Sequence, residues 1–260
     1  MATVEKAPVA QFTVTRGLTF ADLKASLTSG LRDFLACQIY GLFFASIYVG
    51  GGLFAAYALF QWGSPTWLIP IAAGFPLIAP FIAVGLYEVS RRRELGLPMS
   101  WGAVLGALRG RGDEQILSMG IIVFVAFGFW LMVAHGIFAI FLAESGIGSE
   151  SMEIFQTNAG ILMLVVGSFV GALMALGFYS ITVMSLPMLV DKEVDFLTAI
   201  ITSLAAIRCN KPVLIGWAII ISVLLFIAMI PAFLGMLIAL PVLGHATWHL
   251  YRRAVSEDVG

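Results

Sequence analysis

The sequence predicts an all-α polytopic membrane protein with six transmembrane helices and both termini in the cytoplasm. Of its 260 residues, 60% are apolar and 11% are charged, which is far more apolar than a soluble domain. The fourteen Lys and Arg residues fall in four short stretches, with long apolar runs between them. Because these residues favour cytoplasmic loops, we place all four stretches on that side. An even number of spans then separates each stretch from the next.

The apolar runs are long enough for three pairs of spans. A transmembrane helix needs about 20 residues to cross the hydrocarbon core, and the last run, residues 212–251, has about twice that length. Pro231 near its middle therefore predicts a tight hairpin around Met229 to Gly235. The six predicted spans are residues 38–60, 67–88, 116–142, 161–189, 212–229 and 233–251.

A short segment with a shared design precedes each odd-numbered span. It begins with a typical helix N-cap residue and an aromatic, and apolar residues then recur every three or four positions. This pattern predicts a helix in the cytoplasmic interface with its aromatic in the lipid. The alternative is that loops between spans generally look amphipathic. The three pairs of cap and aromatic are Thr19 with Phe20, Ser100 with Trp101, and Asp195 with Phe196.

The alignment of these segments indicates three repeat units inside a single transmembrane domain, residues 17–251. Each unit is one interfacial helix followed by a two-helix hairpin, so all copies share one orientation in the membrane. The units cover about residues 17–90, 98–190 and 193–251. A flexible leader, residues 1–16, precedes the domain, and a cytoplasmic tail, residues 252–260, follows it.

Prolines and small residues predict local features of the spans. A proline in the cytoplasmic half of each even-numbered span removes one backbone hydrogen bond and bends the helix; these are Pro80, Pro187 and Pro241. Rows of small residues allow close helix approach. They are Gly167, Gly171 and Ala175 in the fourth span, and Gly50, Gly51 and Gly52 in the first.

Ionisable residues follow the three prolines at the cytoplasmic ends of the even-numbered spans. If the hairpins pack around a common axis, these residues converge as a polar site, because ionisable groups at this depth avoid lipid. The alternative is that each simply lies at the interface and caps a helix end. The candidates are Glu88, Asp191, His245, His249 and, beside Glu88, Tyr87.

The remaining histidines and cysteines predict no cofactor site. His245 and His249 are four residues apart on one helical face, a spacing that can bind a metal, but no ligand-rich motif accompanies them. We therefore predict neither a metal nor another cofactor. His135 lies deeper in the third span, where an imidazole more often hydrogen-bonds a neighbouring helix. Cys37 and Cys209 lie on the cytoplasmic side, where thiols stay reduced, so we expect no disulfide.

Three stretches of the chain carry a family resemblance. They are IAPFIAVGLYEVSRRRELGLPMSW (78–101), SLPMLVDKEVDFLTAIITSLAAI (185–207) and, above all, LPVLGHATWHLYRR (240–253). They look like a bacterial integral-membrane family, domain of unknown function 2189, some of whose members are labelled cytochrome c oxidase subunit I. The resemblance implies a protein of the bacterial inner membrane. A haem-copper oxidase core needs about six metal ligands, nearly all imidazoles. Three histidines cannot supply them, so this chain is not that catalytic subunit.

The sequence favours a non-catalytic protein that acts as an accessory, assembly or scaffold component of a membrane complex, such as a respiratory one. No phosphate loop, nucleophile elbow, zinc-protease motif or basic patch for nucleic acid occurs in it. Its expected partners are the lipid bilayer and other subunits of such a complex. The alternative is a transporter, channel or lipid-handling protein with a polar site on the cytoplasmic side. A third interpretation is a metal- or haem-handling protein that uses His245 and His249.

Overall fold

The computed structural model describes residues 12–62, 82–107, 114–145 and 157–257. These residues are almost entirely helical. In chain order the elements are β1 (Phe12–Val14), α1 (Phe20–Ala36), α2 (Gln38–Trp62), α3 (described over 82–94), α4 (Trp101–Gly106), α5 (Gln115–Ser145), α6 (Asn158–Thr182), α7 (Ser185–Asp191), α8 (Phe196–Cys209), α9 (Lys211–Met229), α10 (Met236–Ala254) and β2 (Val255–Glu257). Pro80, with the first part of the second predicted span, lies outside the described residues.

The three predicted helix N-caps are confirmed. The Thr19 side chain accepts a hydrogen bond from the backbone N–H of Asp22, whose carboxylate in turn accepts one from the N–H of Thr19. The Ser100 and Asp195 side chains likewise accept from the N–H three residues ahead. Since each bond satisfies a donor that the first helical turn leaves unpaired, these residues determine where α1, α4 and α8 begin.

The corners that follow the first and third of these helices have the same backbone geometry. Cys37, between α1 and α2, has φ −129° and ψ 39°, and Asn210, between α8 and α9, has φ −132° and ψ 38°. At both corners the backbone N–H donates to the carbonyls three and four residues back. The axes of α1 and α2 differ in direction by 100°. The two corners thus share one backbone conformation, and the division of the chain into repeat units stays a prediction.

Three of the described helical segments are long and apolar enough to cross a membrane. They are Gln115–Phe141, Asn158–Asp191 and Lys211–Met229. The bent pair α1 and α2 gives a fourth if it is counted as one span. The structure therefore agrees with an all-α membrane protein, and the arrangement as six spans remains a prediction.

The long final run is divided into two helices, as predicted. A turn at residues 230–235 separates α9 from α10. Within it Ala232 and Phe233 have positive φ values of 48° and 64°, a conformation that ends a right-handed helix. α10 is less apolar than α9 because its second half carries histidines and arginines.

The first helix packs directly against the last. A Cβ atom at Gly30 would lie 2.5 Å from the backbone nitrogen of Ala246 and 2.7 Å from the carbonyl oxygen of Val242, so glycine permits a backbone-to-backbone contact between α1 and α10. The face of α1 with Leu23 and Phe34 is buried here, while Phe20 on the other face is exposed. α1 is therefore docked on the bundle along one face.

The two ends of the described chain are joined. β1 and β2 form an antiparallel two-stranded sheet in which Thr13 opposes Ser256. The sequence predicts a flexible leader and a tail for these residues, and no signal in it predicts their pairing. The Asn210 side chain adds a second tie, because it accepts hydrogen bonds from the N–H groups of Gly17 and Leu18 and donates one to the carbonyl of Thr15.

Replacing Asn210 with alanine should release the N-terminal segment without unfolding the bundle. The change leaves the two N–H groups and one carbonyl without this partner, at a cost of about 1–3 kcal/mol. Hydrogen–deuterium exchange should then accelerate at Gly17 and Leu18. Asn158→Ala, at an exposed position at the start of α6, is the matched control. Unchanged exchange at both amides in Asn210→Ala would contradict the assignment.

The helix of the fourth predicted span is interrupted near its proline. α6 ends at Thr182 and α7 starts at Ser185, two residues before Pro187. Ser203 of α8 spans the interruption, since its hydroxyl accepts from the N–H of Met184 and donates to the carbonyl of Ser180. The third predicted proline, Pro241, lies inside α10, which continues through it.

The predicted rows of small residues contact aromatic rings at Gly171 and Gly52 and face open space at Gly167 and Gly50. A Cβ added at Gly171 would lie 3.1 Å from the ring of Trp130 in α5. A Cβ at Gly167 would have no neighbour within 4 Å, and Ala175 is exposed. The expected close approach of helix backbones is therefore not found at Gly167 or Ala175. In α2, Gly52 contacts Phe233, Gly50 faces open space and Gly51 is half-buried.

Candidate functional site

Charged side chains connect one end of α3, α7 and α10. We call this group the charged cluster; it consists of Glu88, Arg91, Arg92, Glu94, Asp191 and Arg252. Glu88 pairs with Arg91 at 3.3 Å and with Arg92 at 3.1 Å. Asp191 then lies 3.8 Å from Arg91 and 3.1 Å from Arg252. The ends of α3, α7 and α10 are thus linked by one network in which acidic and basic side chains alternate.

The outer members of the charged cluster are tied to aromatic side chains of α10. Glu94 accepts hydrogen bonds from Arg252 and from the indole N–H of Trp248, at 3.0 and 2.9 Å. Asp191 accepts one from the hydroxyl of Tyr251 at 3.0 Å. Every carboxylate in the cluster therefore has a cationic partner, which buried charges require.

A second group of polar side chains surrounds Asp33 of α1. We call it the Asp33 cluster; it consists of Asp33, Ser90, Arg93, His245 and His249. Asp33, only 6% exposed, accepts hydrogen bonds from the Ser90 hydroxyl at 2.6 Å and from Nε2 of His249 at 2.8 Å. Arg93 pairs with its other oxygen at 3.2 Å. The cluster joins α1 to α3 and α10.

Ser90 lies between Asp33 and the fully buried His245. Nδ1 of His245 is 2.8 Å from the Ser90 oxygen. Because the Ser90 hydroxyl donates to Asp33, the proton between Ser90 and His245 must come from Nδ1, which fixes the imidazole tautomer. Nε2 of His245 has no hydrogen-bond partner among the described residues. Ser90 is completely buried as well, so this group offers no exposed nucleophile.

The surroundings of Asp33 favour its ionised form. Burial alone would raise the pKa of its carboxyl group, but the hydrogen bonds from His249 and Ser90 outweigh that effect and lower the pKa below its ordinary value. At neutral pH the carboxylate is therefore charged. It acts as the acceptor on which Ser90, Arg93 and His249 converge.

A large apolar cavity lies among the long helices. We call it the central chamber. It has a volume of about 550 Å³, and side chains of α2, α3, α5, α6, α7, α9 and α10 line it, which is within the range of about 300–1,000 Å³ usual for small-molecule sites. Leu, Ile, Val, Ala and Phe side chains make up most of its wall. None of the described lining residues is an Asp, Glu, Lys, Arg or His.

Four hydroxyl groups interrupt the apolar wall of the central chamber. Those of Thr182 and Thr247 donate to carbonyls of their own helices. Tyr48 contributes the third. The fourth belongs to Tyr87, which is buried and for whose hydroxyl the described residues provide no hydrogen-bond partner. Tyr87 is thus a polar group of the chamber that a bound molecule can engage.

The five candidate residues from the sequence lie in three different environments. Glu88 and Asp191 belong to the charged cluster, and His245 and His249 belong to the Asp33 cluster. Tyr87 faces the central chamber. The end residues of the three even-numbered predicted spans are thus brought close together. The two histidines nevertheless have different partners and do not face one ligand.

Sequence reasoning missed the residues that connect these candidates. Asp33 is the most important of them. It could have been noticed as an acidic residue beside Arg32, at the end of an interfacial helix and directly before a predicted span. Arg91 and Glu94 lie in the run RRRE, which charge counting assigned to the cytoplasmic surface. No signal in the sequence indicated the central chamber.

The described residues include no group of three or more His, Cys, Asp or Glu side chains that could hold a metal ion. His135 is exposed on α5, and its Nδ1 lies 2.8 Å from the carbonyl oxygen of Leu131 in the same helix. The expected bond to a neighbouring helix is therefore replaced by one within α5. Cys37 and Cys209 are free thiols.

Comparisons with known proteins give one match. Residues 68–191 match the model of a family described as "Predicted integral membrane protein (DUF2189)". No curated protein and no solved structure matches the chain. Over this range the chain is similar to DUF2189, in agreement with the resemblance of its sequence, and its long apolar helices are those of an integral membrane protein.

Proposed function

We propose that this DUF2189-related protein holds the apolar chain of a lipid or lipid-like molecule in its central chamber and acts as a non-catalytic lipid-handling protein of the bacterial inner membrane. The observation that carries the proposal is the chamber itself, which is large, apolar and surrounded by seven helices. The chamber is open on part of its boundary, so it is a pocket that a molecule can enter and not a sealed void. An apolar pocket of about 550 Å³ lined by seven helices is therefore suited to an apolar occupant.

The joined chain ends support the proposed orientation. β1 and β2 are hydrogen-bonded to each other, and no hydrocarbon layer fits between paired strands, so both ends lie on one side of the membrane. That arrangement requires an even number of spans. Lys24, Arg32 and Arg208 are exposed near these ends. By the bias of basic residues toward the cytoplasm, they support a cytoplasmic location for both termini.

The pairing of the charged side chains supports a protein that neither conducts ions or protons nor reacts with polar solutes. The carboxylates of Glu88, Glu94 and Asp191 are all neutralised by arginines, and the lining of the chamber adds no ionisable acid or base among the described residues. An ion or proton pathway needs such groups along its course. These ion pairs instead hold the ends of α3, α7 and α10 together.

Filling the chamber should remove bound lipid. Ala83 of α3 lines the chamber, and Ala83→Phe places a ring inside it. We expect native mass spectrometry of the gently purified protein to detect a retained lipid in the wild type and at least a severalfold lower occupancy in the variant.

The control for this experiment is the same substitution on the lipid-facing surface. Ala175 of α6 is exposed and does not line the chamber, so Ala175→Phe should retain lipid as the wild type does. Equal lipid retention by Ala83→Phe and Ala175→Phe, with both variants folded, would refute a chamber-bound lipid.

A second candidate function is the accessory or scaffold role in a membrane complex. The specific observation is the exposure of the α5 and α6 pair, whose apolar side chains include several that are more than half exposed: Phe129 and Met132 in α5, and Val165 and Phe169 in α6. A groove of about 450 Å³ beside Trp130 and Gly167 lies on this pair. Such a surface suits a neighbouring membrane subunit as well as lipid. Purification in mild detergent tests this role, because a stoichiometric partner subunit should accompany the protein.

A further inference from the structure

We infer that the central chamber selects a lipid-like molecule with an uncharged, hydrogen-bond-accepting head, such as an ester or other carbonyl, which the hydroxyl of Tyr87 binds. This inference rests on the proposed function and specifies its ligand class. It also assigns a binding role to Tyr87. Three observations support it: the unpartnered hydroxyl of Tyr87, the absence of charge in the described chamber wall, and the neutralised state of the nearest carboxylate.

Polar contacts must decide which molecule the chamber prefers. A hydrocarbon chain that leaves the bilayer for an apolar cavity exchanges one apolar surrounding for another, so burial alone gives little discrimination. A hydrogen bond formed against an apolar wall is stronger than the same bond in water, because the local dielectric constant is low. Of the hydroxyls in the described wall, those of Thr182 and Thr247 already donate their protons to helix carbonyls. Tyr87 has a proton to donate.

The buried position of Tyr87 makes a ligand acceptor favourable. The residue is only 6% exposed and lines the chamber. A phenol hydroxyl in an apolar wall gains free energy when a carbonyl oxygen of a bound molecule accepts its proton. As a donor, the phenol suits an ester, ketone or aldehyde oxygen, while a pure hydrocarbon leaves it unpaired.

The charges next to the chamber argue against a charged head. Glu88 follows Tyr87 directly, but Arg91 and Arg92 occupy its carboxylate. The guanidinium of Arg91 also faces Asp191. A carboxylate or ammonium head in the chamber would therefore meet no opposite charge among the described lining residues, and burying an unpaired charge is very costly. The chamber should accordingly reject both fatty acid anions and alkyl amines.

Four probes with chains of sixteen carbons test the inference. They are hexadecane, methyl palmitate, palmitate and hexadecylamine, each added to the purified full chain in nanodiscs at neutral pH, with bound probe counted by native mass spectrometry. Methyl palmitate should bind about fivefold more tightly than hexadecane, the ratio that one net hydrogen bond provides. Palmitate and hexadecylamine should bind more weakly than either.

Removing one hydroxyl group should abolish this preference. Tyr87→Phe should bind methyl palmitate only as tightly as it binds hexadecane. Tyr57→Phe is the matched control, because Tyr57 lies on the exposed face of α2, and it should keep the fivefold ratio. Palmitate that binds as tightly as methyl palmitate, or a ratio that persists in Tyr87→Phe, overturns the inference.

The experiment separates failure of the ligand class from failure of the proposed function. If hexadecane and methyl palmitate bind equally and Ala83→Phe weakens both, the chamber holds lipid but does not select its head, so only the inference fails. If no probe binds, or if Ala83→Phe affects none of them, the chamber is not a lipid site and both fail.

Discussion

Replacing Asp33 with asparagine is expected to lower the stability of the folded protein by about 3 kcal/mol. The carboxylate is buried and is the common acceptor for Ser90, Arg93 and His249. Removing one partner of a buried, hydrogen-bonded charge group leaves the others unsatisfied, which is among the most damaging single changes. Thermal unfolding in detergent should report a fall in Tm of several degrees.

A carboxylate on the surface provides the control for Asp33. Asp195→Asn keeps an effective N-cap at an exposed helix start, so its Tm should stay close to that of the wild type. If Asp33→Asn is as stable as Asp195→Asn, the Asp33 cluster does not hold α1 in place.

The same carboxylate should make the protein sensitive to acid. Its pKa in the folded state lies below the ordinary value, because hydrogen bonds from His249 and Ser90 outweigh burial. Asp33 therefore stabilises the fold at pH values above its unfolded pKa, and this contribution is lost as the pH falls through the folded pKa. The Tm difference between wild type and Asp33→Asn should shrink toward zero in that acidic range. A difference independent of pH would indicate that the ionised form is not responsible.

Replacing Gly30 with alanine is the second change with a large expected effect. The added methyl group would lie 2.5 Å from a backbone nitrogen of α10 and 2.7 Å from a carbonyl oxygen, and backbone atoms cannot rotate out of the way. α1 and α10 must separate, and such overpacking costs about 1–3 kcal/mol or more. We expect a lower Tm and faster hydrogen exchange along α1.

The control for Gly30→Ala is Gly50→Ala. Gly50 lies inside α2, and a Cβ there would meet nothing within 4 Å. Alanine has the higher helix propensity by about 1 kcal/mol, so Gly50→Ala should be neutral or stabilising. A Gly30→Ala protein as stable as Gly50→Ala would contradict the close contact of the first and last helices.

Local chemistry was enough to predict where several helices begin. Thr19, Ser100 and Asp195 cap their helices because a short polar side chain can reach an N–H three residues ahead, and that requirement is visible in the sequence. The division between α9 and α10 was predictable for a similar reason, since the length of the bilayer and Pro231 together exclude one continuous span. Neither prediction needed knowledge of distant contacts.

Pairings across the whole chain could not be predicted in this way. The contact of Gly30 with Ala246 depends on the shape of two backbones far apart in sequence, and a glycine in an amphipathic helix has many other uses. The pairing of Thr13 with Ser256 involves strands of three residues each, too short to give a periodic signal.

The sequence predicted where in the bundle the candidate residues lie, but it did not predict which side chains they bind. Charge counting placed Glu88, Asp191, His245 and His249 at one end of the bundle, because charges avoid the hydrocarbon core. Which acid pairs with which base depends on how the helices rotate and pack. For that reason Asp33 was missed, and so was the separation of Tyr87 from the charged residues.

The bond between Asp33 and His249 has a consequence for how the protein is made. The two residues are 216 positions apart, so a ribosome working at about 5–20 residues per second needs roughly 10–40 s to deliver the second after the first. Throughout that time α1 has left the exit tunnel without the helix that covers its face with Gly30 and Asp33. The contacts that bury Asp33 can therefore form only when translation is nearly complete.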